Sequence, residues 1–287
     1  ESVQITLAET VGLEGRVSFY DGSGAMRDMV QNHLLQILAL ICMAPPNRMD
    51  AGSIRQEKVK VLQALRPLRG ADVGANVVRG QYRGGVAGGL PVQGYRDELG
   101  HDSNTETFVA LRAHVDNWRW AGVPFYLRTG KRLKHRFGEV VLQLRQVPHD
   151  VFGGQAGVLQ PNRLVIALQP EESIHMSMMV KRPGRGSVHV EPMIMELDLP
   201  ESQHVGSGYQ RLILDVINAD QRLFVHRDEV DAAWAWVDPI IGAWSQAASP
   251  PQPYEAGSWG PREADFLLAR DGHTWAGPHG LGAGEGG

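Results

Sequence analysis

Thr107-Phe108-Val109-Ala110-Leu111-Arg112-Ala113-His114-Val115 opens the part of the chain whose reading decides the fold. It is the first of six strand-like segments, followed by Val123 to Arg128, Glu139 to Val147, Leu164 to Leu168, His175 to Lys181 and Val188 to Leu197. Short polar or glycine-bearing connections separate them, which favours antiparallel pairing over crossover helices. A large, mainly antiparallel sheet is expected.

Outward from that block, residues 3 to 9 alternate, with Val3, Ile5 and Leu7 on one side and Gln4 and Thr6 on the other. This is the period of a half-buried strand, and continuing it carries Glu9 to the apolar side. Between the two strand regions, Met26, Met29, Val30, Ile37, Leu38 and Ile41 recur at helical spacing. They predict a helix over 24–44, with Gly22 to Gly24 before it and Pro45-Pro46 ending it. His33 falls between Met29 and Ile37 on the apolar stripe and is expected to point inward. A hydrogen-bonded core histidine is the commoner outcome for such a position and a base or ligand the sharper one.

A second helix is expected from Ser53, with Ile54, Lys58, Val61 and Leu65 in phase and Pro67 as its stop. Residues 70–105, rich in glycine and polar groups, read as a long loop. Two more helices are expected around Tyr209 to Ala219 and Glu229 to Trp244. Strands grouped together with helices before and after them define an α+β fold, a large mainly antiparallel sheet with helices packed on one face. The domain is expected to run over 1–276, and the glycine-heavy tail, 277–287, to be disordered.

With 287 residues and a hydrophobic fraction of 43%, the chain can build a sizeable core. A net charge of −4 argues against a general grip on nucleic acid or anionic lipid. The single cysteine, Cys42, excludes an internal disulfide framework and a multi-cysteine zinc site, and suits the reducing cytoplasm. No apolar run is long enough to span a bilayer, and the first residues have no signal-peptide pattern. The chain opens on Glu1 directly into a strand-like alternation, as a fragment of a longer protein would.

Chemistry-bearing residues fall into two groups. Glu9 ends a strand, Asp28 opens a helix and His33 lies within it; in an α-helix the last two are about 140° apart and cannot stack. For Asp28 an acid favourable to the helix dipole is the plain alternative. The second group, Arg128-Thr129-Gly130-Lys131-Arg132-Leu133-Lys134-His135-Arg136, leaves a strand into a glycine turn, where its cations could meet a sugar phosphate or simply form a solvated basic loop. The tryptophans around Asn117 to Trp120 and at Trp234 and Trp236 are more often core anchors than stacking platforms. No His-Glu-x-x-His spacing, phosphate-cradling glycine motif or nucleophile elbow is present, so neither a metal nor a nucleotide site is expected within this chain.

Taken in order, these motifs resemble the glucose-6-phosphate dehydrogenase family in its C-terminal domain. The resemblance rests on Val3 to Glu9, Glu14-Gly15-Arg16, Arg27 to Gln36, Glu57 to Leu62, Val78 to Tyr82, Thr105 to Leu111, Asp116 to Phe125, Arg128 to Lys131, Gln169-Pro170, Arg211 to Asp215 and Gly260 to Asp265. It implies oxidation of the C1 hydroxyl of glucose 6-phosphate to a lactone with reduction of NADP, at the entry to the pentose phosphate pathway. By that likeness His33 matches the general base, and Glu9 and Asp28 match residues that bind sugar hydroxyls. Lys131 matches a substrate lysine, Arg136 stands where a second cation is found, and Gln169 looks like a polar residue near the same site.

The family's glycine-rich nucleotide-binding domain and its His-Tyr-x-Gly-Lys phosphate-gripping segment, whose preceding Asp orients the base, have no counterpart in these residues. Cofactor binding is therefore expected outside this chain, and little activity from the chain alone. Some members carry a second, structural NADP site; Arg128 is retained there, but Phe137, Ala167 and Ser177 stand where cations are expected, which argues against it. The likeness also implies a homodimer or homotetramer through the sheet. A non-catalytic sugar-phosphate-binding or assembly module derived from the enzyme is the alternative.

Overall fold

The computed structural model describes residues 1–152, 159–183, 189–197, 208–247 and 249–278. Its central strand, β1 (Ser2–Ala8), is buried along its whole length. Val3, Ile5 and Leu7 enter one hydrophobic cluster and Ala8 a second. Gln4 donates from its side-chain amide to the Thr274 carbonyl (2.9 Å) and accepts from the Ala276 N–H (2.8 Å). The alternation read as half-buried therefore belongs to a strand covered on both faces. The polar side of β1 meets a C-terminal segment rather than water, and its side chains are satisfied there.

Around β1 lies a nine-stranded sheet. On one side come β6 (Pro124–Gly130), β5 (Phe108–His114), β2 (Val77–Arg83) and β11 (Gln252–Glu255); on the other come β7 (Phe137–Gln143), β8 (Arg163–Gln169), β9 (Ser173–Lys181) and β10 (Val190–Leu197). The β1–β6 and β2–β11 pairs are parallel and the others antiparallel. All six expected strands are found within a few residues of their expected ends, with Val188 outside the described residues.

The long helices cover one face. α1 (Val17–Ala25) leads into a π-helix (Met26–Leu34), then α2 (Leu35–Cys42), α3 (Ala51–Gln63) and, far along the chain, α7 (Arg227–Ala247). Met26, Val30, Leu34, Leu38, Leu62, Val237 and Ile240 share the cluster with Val3 and Ile5. A buried ion pair, Lys58 Nζ to Glu229 Oε2 at 2.5 Å, joins α3 to α7. On the other face the short α8 (Glu263–Ala269) brings Leu267 and Leu268 against Phe108 and Tyr126. Cys42 is buried at the end of α2, and burial pushes its thiol up to about 12, as for an inert packing residue.

Three expectations need correction. Residues 70–105 are not a structureless loop: they form α4 (Ala71–Asn76), β2, a hairpin of β3 (Gly85–Ala87) and β4 (Leu90–Val92), and α5 (Tyr95–Leu99). β2 escapes a periodicity reading because its buried residues include polar ones whose needs are met locally; Gln81 donates to the carbonyls of Ser103 (3.0 Å) and Thr105 (2.9 Å). The helix expected over 24–44 starts earlier and breaks at Gly24 (φ 72°). The cap of α3 is Asp50, which accepts from the Ser53 N–H at 2.9 Å, so Ser53 is inside the helix rather than its start. Residues 279–287 of the tail lie outside the described residues, as does α6 (Gly208–Ile217) in the side chains of Gly208 and Arg211.

Candidate active site

Because β1 and β6 run parallel, their carboxyl ends come together, with Ala8 opposite Gly130. Glu9 and Lys131 are the next residue of each strand. The backbone fixes both: the Glu9 N–H donates to the Gly130 carbonyl (3.0 Å), the Leu133 N–H to the Glu9 carbonyl (2.9 Å), and the Lys131 N–H to the Thr107 carbonyl (2.9 Å). The Tyr254 hydroxyl donates to the Lys131 carbonyl at 2.7 Å. Gly130 is required by close approach, since a Cβ there would lie 2.7 Å from the Phe108 ring.

Lys131 is 2% exposed, and its ammonium is answered on two sides. It donates to Glu9 Oε2 at 2.8 Å and lies 5.0 Å above the centre of the Tyr20 ring. A buried ammonium needs such compensation, and one carboxylate plus one aromatic face supplies it. Glu9 keeps part of its surface open, its side chain being 28% exposed. Tyr20 is buried, its hydroxyl has no hydrogen-bond partner among the described residues, and burial, reinforced by the carboxylates of Glu106, Asp28 and Glu9, holds its phenol well above the ordinary value. Lys131 thus lies over a ring on which the carboxylates of Glu106, Asp28 and Glu9 also act electrostatically.

Asp28 and His33 are carried by the π-helix. Its i→i+5 hydrogen bonding, closed by the Leu35 N–H on the Val30 carbonyl, makes the turn wider than that of an α-helix. The angular separation of an α-helix does not apply here: the wider turn of the π-helix brings Asp28 and His33 closer to one side. The inward placement of His33 is overturned as well. The buried stripe is Met26, Val30 and Leu34, at the wider turn of the π-helix, and His33 is exposed. An exposed imidazole is open to a ligand and carries no core-burial cost.

The π-helix begins on Glu106. Its carboxylate Oε1 accepts from the Met26 N–H (2.9 Å), and its carbonyl accepts from the Ala25 N–H (3.0 Å). Neither Glu106 nor Tyr20 is marked by the sequence pattern; the signal nearest to them is the glycine run ending at Gly24.

Gln169 ends β8 at the same end of the sheet, opposite Gly138, which in turn lies opposite Leu7. It stands two strands from Glu9. Arg136 is exposed on the loop after Lys131 and enters none of these contacts. Trp236 is a core residue and Trp120 packs on Phe125 at 5.3 Å, both as anchors, whereas Trp118 is fully exposed.

Cofactor chemistry has a poor fit here. Among the described residues the site offers two half-open carboxylates and one lysine already paired, a largely anionic set that suits sugar hydroxyls better than a pyrophosphate. Arg128, the residue of the possible second NADP site, is buried between Trp275 (4.4 Å) and Trp259 (5.4 Å), with its guanidinium donating to the Ala276 carbonyl at 3.3 Å. Burial lowers it to about 10. Its two faces are occupied by the chain's own rings. Among the described residues no His, Cys, Asp and Glu group could hold a metal ion, and no helix is long and apolar enough to cross a membrane.

The fold and site define an α+β domain that carries two partly open carboxylates, a buried lysine and an exposed histidine, groups suited to a polyhydroxylated anionic molecule. The sequence model of the glucose-6-phosphate dehydrogenase C-terminal domain matches residues 1–276. Glucose-6-phosphate 1-dehydrogenase of Zymomonas mobilis is 52% identical over 280 residues, covering 96% of this chain and 58% of that protein. The Rhizobium meliloti enzyme of the same name is 50% identical over 278 residues, covering 96% and 57%. The crystal structure of the Mycobacterium avium glucose-6-phosphate 1-dehydrogenase superposes with a TM-score of 0.81 at 36% identity, and a glucose-6-phosphate dehydrogenase solved with glucose 6-phosphate superposes at 0.83 and 34%; each alignment covers 96% of this chain and 56% of the other. The chain belongs to the glucose-6-phosphate dehydrogenase family, matching its C-terminal domain, and spans less than two thirds of the length of these relatives.

Proposed function

We propose that this chain supplies the sugar-phosphate site of an NADP-dependent glucose-6-phosphate dehydrogenase. The observation that carries the reading is the partly buried Glu9–Lys131 pair at 2.8 Å, in a chain whose π-helix carries Asp28 and an exposed His33. Glu9 and Asp28 accept hydrogen bonds from sugar hydroxyls, since ionised carboxylates are acceptors only. Lys131 has further N–H donors beyond the one spent on Glu9, and these meet oxygens of the anionic substrate. Gln169 is assigned to the rim of the same site and Arg136 to a peripheral cation.

His33, as neutral imidazole, takes the proton of the C1 hydroxyl while C1 loses hydride and closes to the lactone carbonyl. The hydride acceptor is NADP, whose binding is assigned outside the described residues. Those residues do not by themselves complete an oxidation, so the chain alone is proposed to bind sugar phosphate with little turnover. Cytoplasmic location and self-association are part of the same reading. The latter is supported by apolar side chains exposed on β10 and α6, Ile194 at 63% and Ile217 at 72% among them.

In the longer enzyme, His33→Asn is expected to lower kcat by about 10²–10⁴-fold, the usual worth of a general base, while calorimetry still detects glucose 6-phosphate binding. An unchanged kcat removes His33 from the mechanism. Loss of binding in the unsubstituted chain would favour the alternative of an assembly module.

A further inference from the structure

We infer that Glu106 is a positioning residue: its carboxylate starts the π-helix and so sets where Asp28 and His33 stand. The inference rests on the site proposed above. Three observations meet at this residue. The Met26 N–H, at the first turn of the π-helix, donates to Glu106 Oε1 at 2.9 Å, and the preceding Ala25 N–H donates to the Glu106 carbonyl at 3.0 Å. One residue of the segment leading into β5 therefore receives two successive N–H groups that no helical carbonyl can satisfy.

The chain breaks out of α1 at Gly24, whose φ of 72° and ψ of 169° are non-helical. A Cβ at Gly24 would lie 2.4 Å from Glu106 Oε1. Glycine is needed both for the left-handed backbone and for the approach of the carboxylate. Finally, Glu106 is 6% exposed, buried beneath the helix start.

A helix start held by a side chain from a segment eighty residues further along the chain differs from an ordinary cap. A residue in the local sequence would move with the helix, whereas Glu106 ties the first turn to the segment entering β5, whose Thr107 carbonyl accepts from the Lys131 N–H. The same carboxylate bears on Tyr20, over which Lys131 lies. The two halves of the site, one on the sheet and one on the helix, are registered through this contact. Arg79 and Arg27 are the cations that bear on Glu106, and burial nevertheless raises its carboxyl above the ordinary value. The oxygen Oε1 is the acceptor that the helix start uses.

The test is a mutant cycle in the full-length enzyme with glucose 6-phosphate as substrate. Glu106→Ala is expected to lower kcat/KM by about 10²-fold, the scale of an ångström-sized misplacement of catalytic groups. Glu106→Gln, which keeps an acceptor oxygen in place, is expected to stay within about threefold of the parent, since the N–H contact survives. Gly24→Ala should reproduce the loss from the opposite side of the contact. In a His33→Asn background Glu106→Ala should cost little more in kcat, because groups acting as a unit are non-additive.

A residue of merely structural worth would lower the melting temperature and leave kcat/KM per folded molecule unchanged; that result overturns the inference, as does full multiplicativity with His33→Asn. If Glu106→Ala does not fold, Glu106→Asp, one methylene too short to reach Met26, takes its place with the same expected loss. Should His33→Asn itself leave kcat unchanged, the proposed function fails, whatever Glu106 does. If His33→Asn collapses turnover while Glu106→Ala does not, only the positioning role fails.

Discussion

Lys131 shows how a charge can be kept at the end of a buried strand. It has a carboxylate at 2.8 Å and an aromatic ring at 5.0 Å, and the ring can be tested apart from its hydroxyl. Tyr20→Phe keeps the quadrupole that attracts the ammonium, so the Michaelis constant for glucose 6-phosphate in the full-length enzyme should hold. Tyr20→Leu removes it and should raise that constant about fivefold to thirtyfold, the equivalent of a cation–π contact of roughly 1–2 kcal/mol. A rise with Tyr20→Phe as large as with Tyr20→Leu would assign the effect to the hydroxyl instead. Glu9 and Lys131 were recognisable in the sequence, one through strand period and one through the cationic turn. Tyr20 was not, because an aromatic in a short, glycine-interrupted helix has no period to betray which side it faces.

At the scale of elements, the departure that matters is the π-helix. Reading Met26 to Ile41 at 3.6 residues per turn gave a helix in the right place with His33 on the wrong side, since the wider turn shifts the buried stripe to Met26, Val30 and Leu34. Hydrophobic period identifies that a helix exists more readily than it identifies a local change of turn. A similar limit hid β2, whose polar residues are satisfied by neighbouring carbonyls. The segment after α5 is tied back to α1 through Asp21, which accepts from Tyr95 Oη (2.9 Å) and Ser103 Oγ (2.5 Å).

Burial alone would raise the Asp21 carboxyl, but the hydrogen bonds from Ser103, Tyr95 and Thr105 outweigh it and the net shift is downward from 3.8. A depressed carboxyl contributes stability above its unfolded pKa and loses it as pH falls through the folded one. Asp21→Asn should therefore lower the urea midpoint at pH 7, and the gap to the parent should close below pH 3.8. A gap that is independent of pH would show that the ionised form is not what anchors the segment.

For the molecule as a whole, strand grouping was enough to predict an α+β domain built on a large sheet, because six segments with short links leave few other layer arrangements. What the pattern could not supply was the pairing of β1 with β6 and of β2 with β11, both parallel and both joining distant parts of the chain. Such contacts are set by tertiary packing and carry no local signature. The outer strand β10 leaves Met193, Ile194, Met195 and Leu197 exposed, an apolar row at a sheet edge that a single chain does not cover. Ile194→Glu is expected to convert an associated chain to a monomer in light scattering with the helical circular dichroism intact. An unchanged mass would place the self-association surface elsewhere.

The position of β1 also has a kinetic side. Val3 pairs with Phe125 and with Leu142, so the strand at the middle of the sheet must wait for residues more than a hundred positions further along. Closing so large a loop costs entropy before any ladder bond repays it, and folding slows as contacts become more distant in sequence. During synthesis the strand therefore emerges with both of its faces uncovered, long before the two strands that will flank it exist. The residue pair at its end, Glu9 and Lys131, can form only when that wait is over, so this half of the candidate site cannot be assembled until β6 has been made.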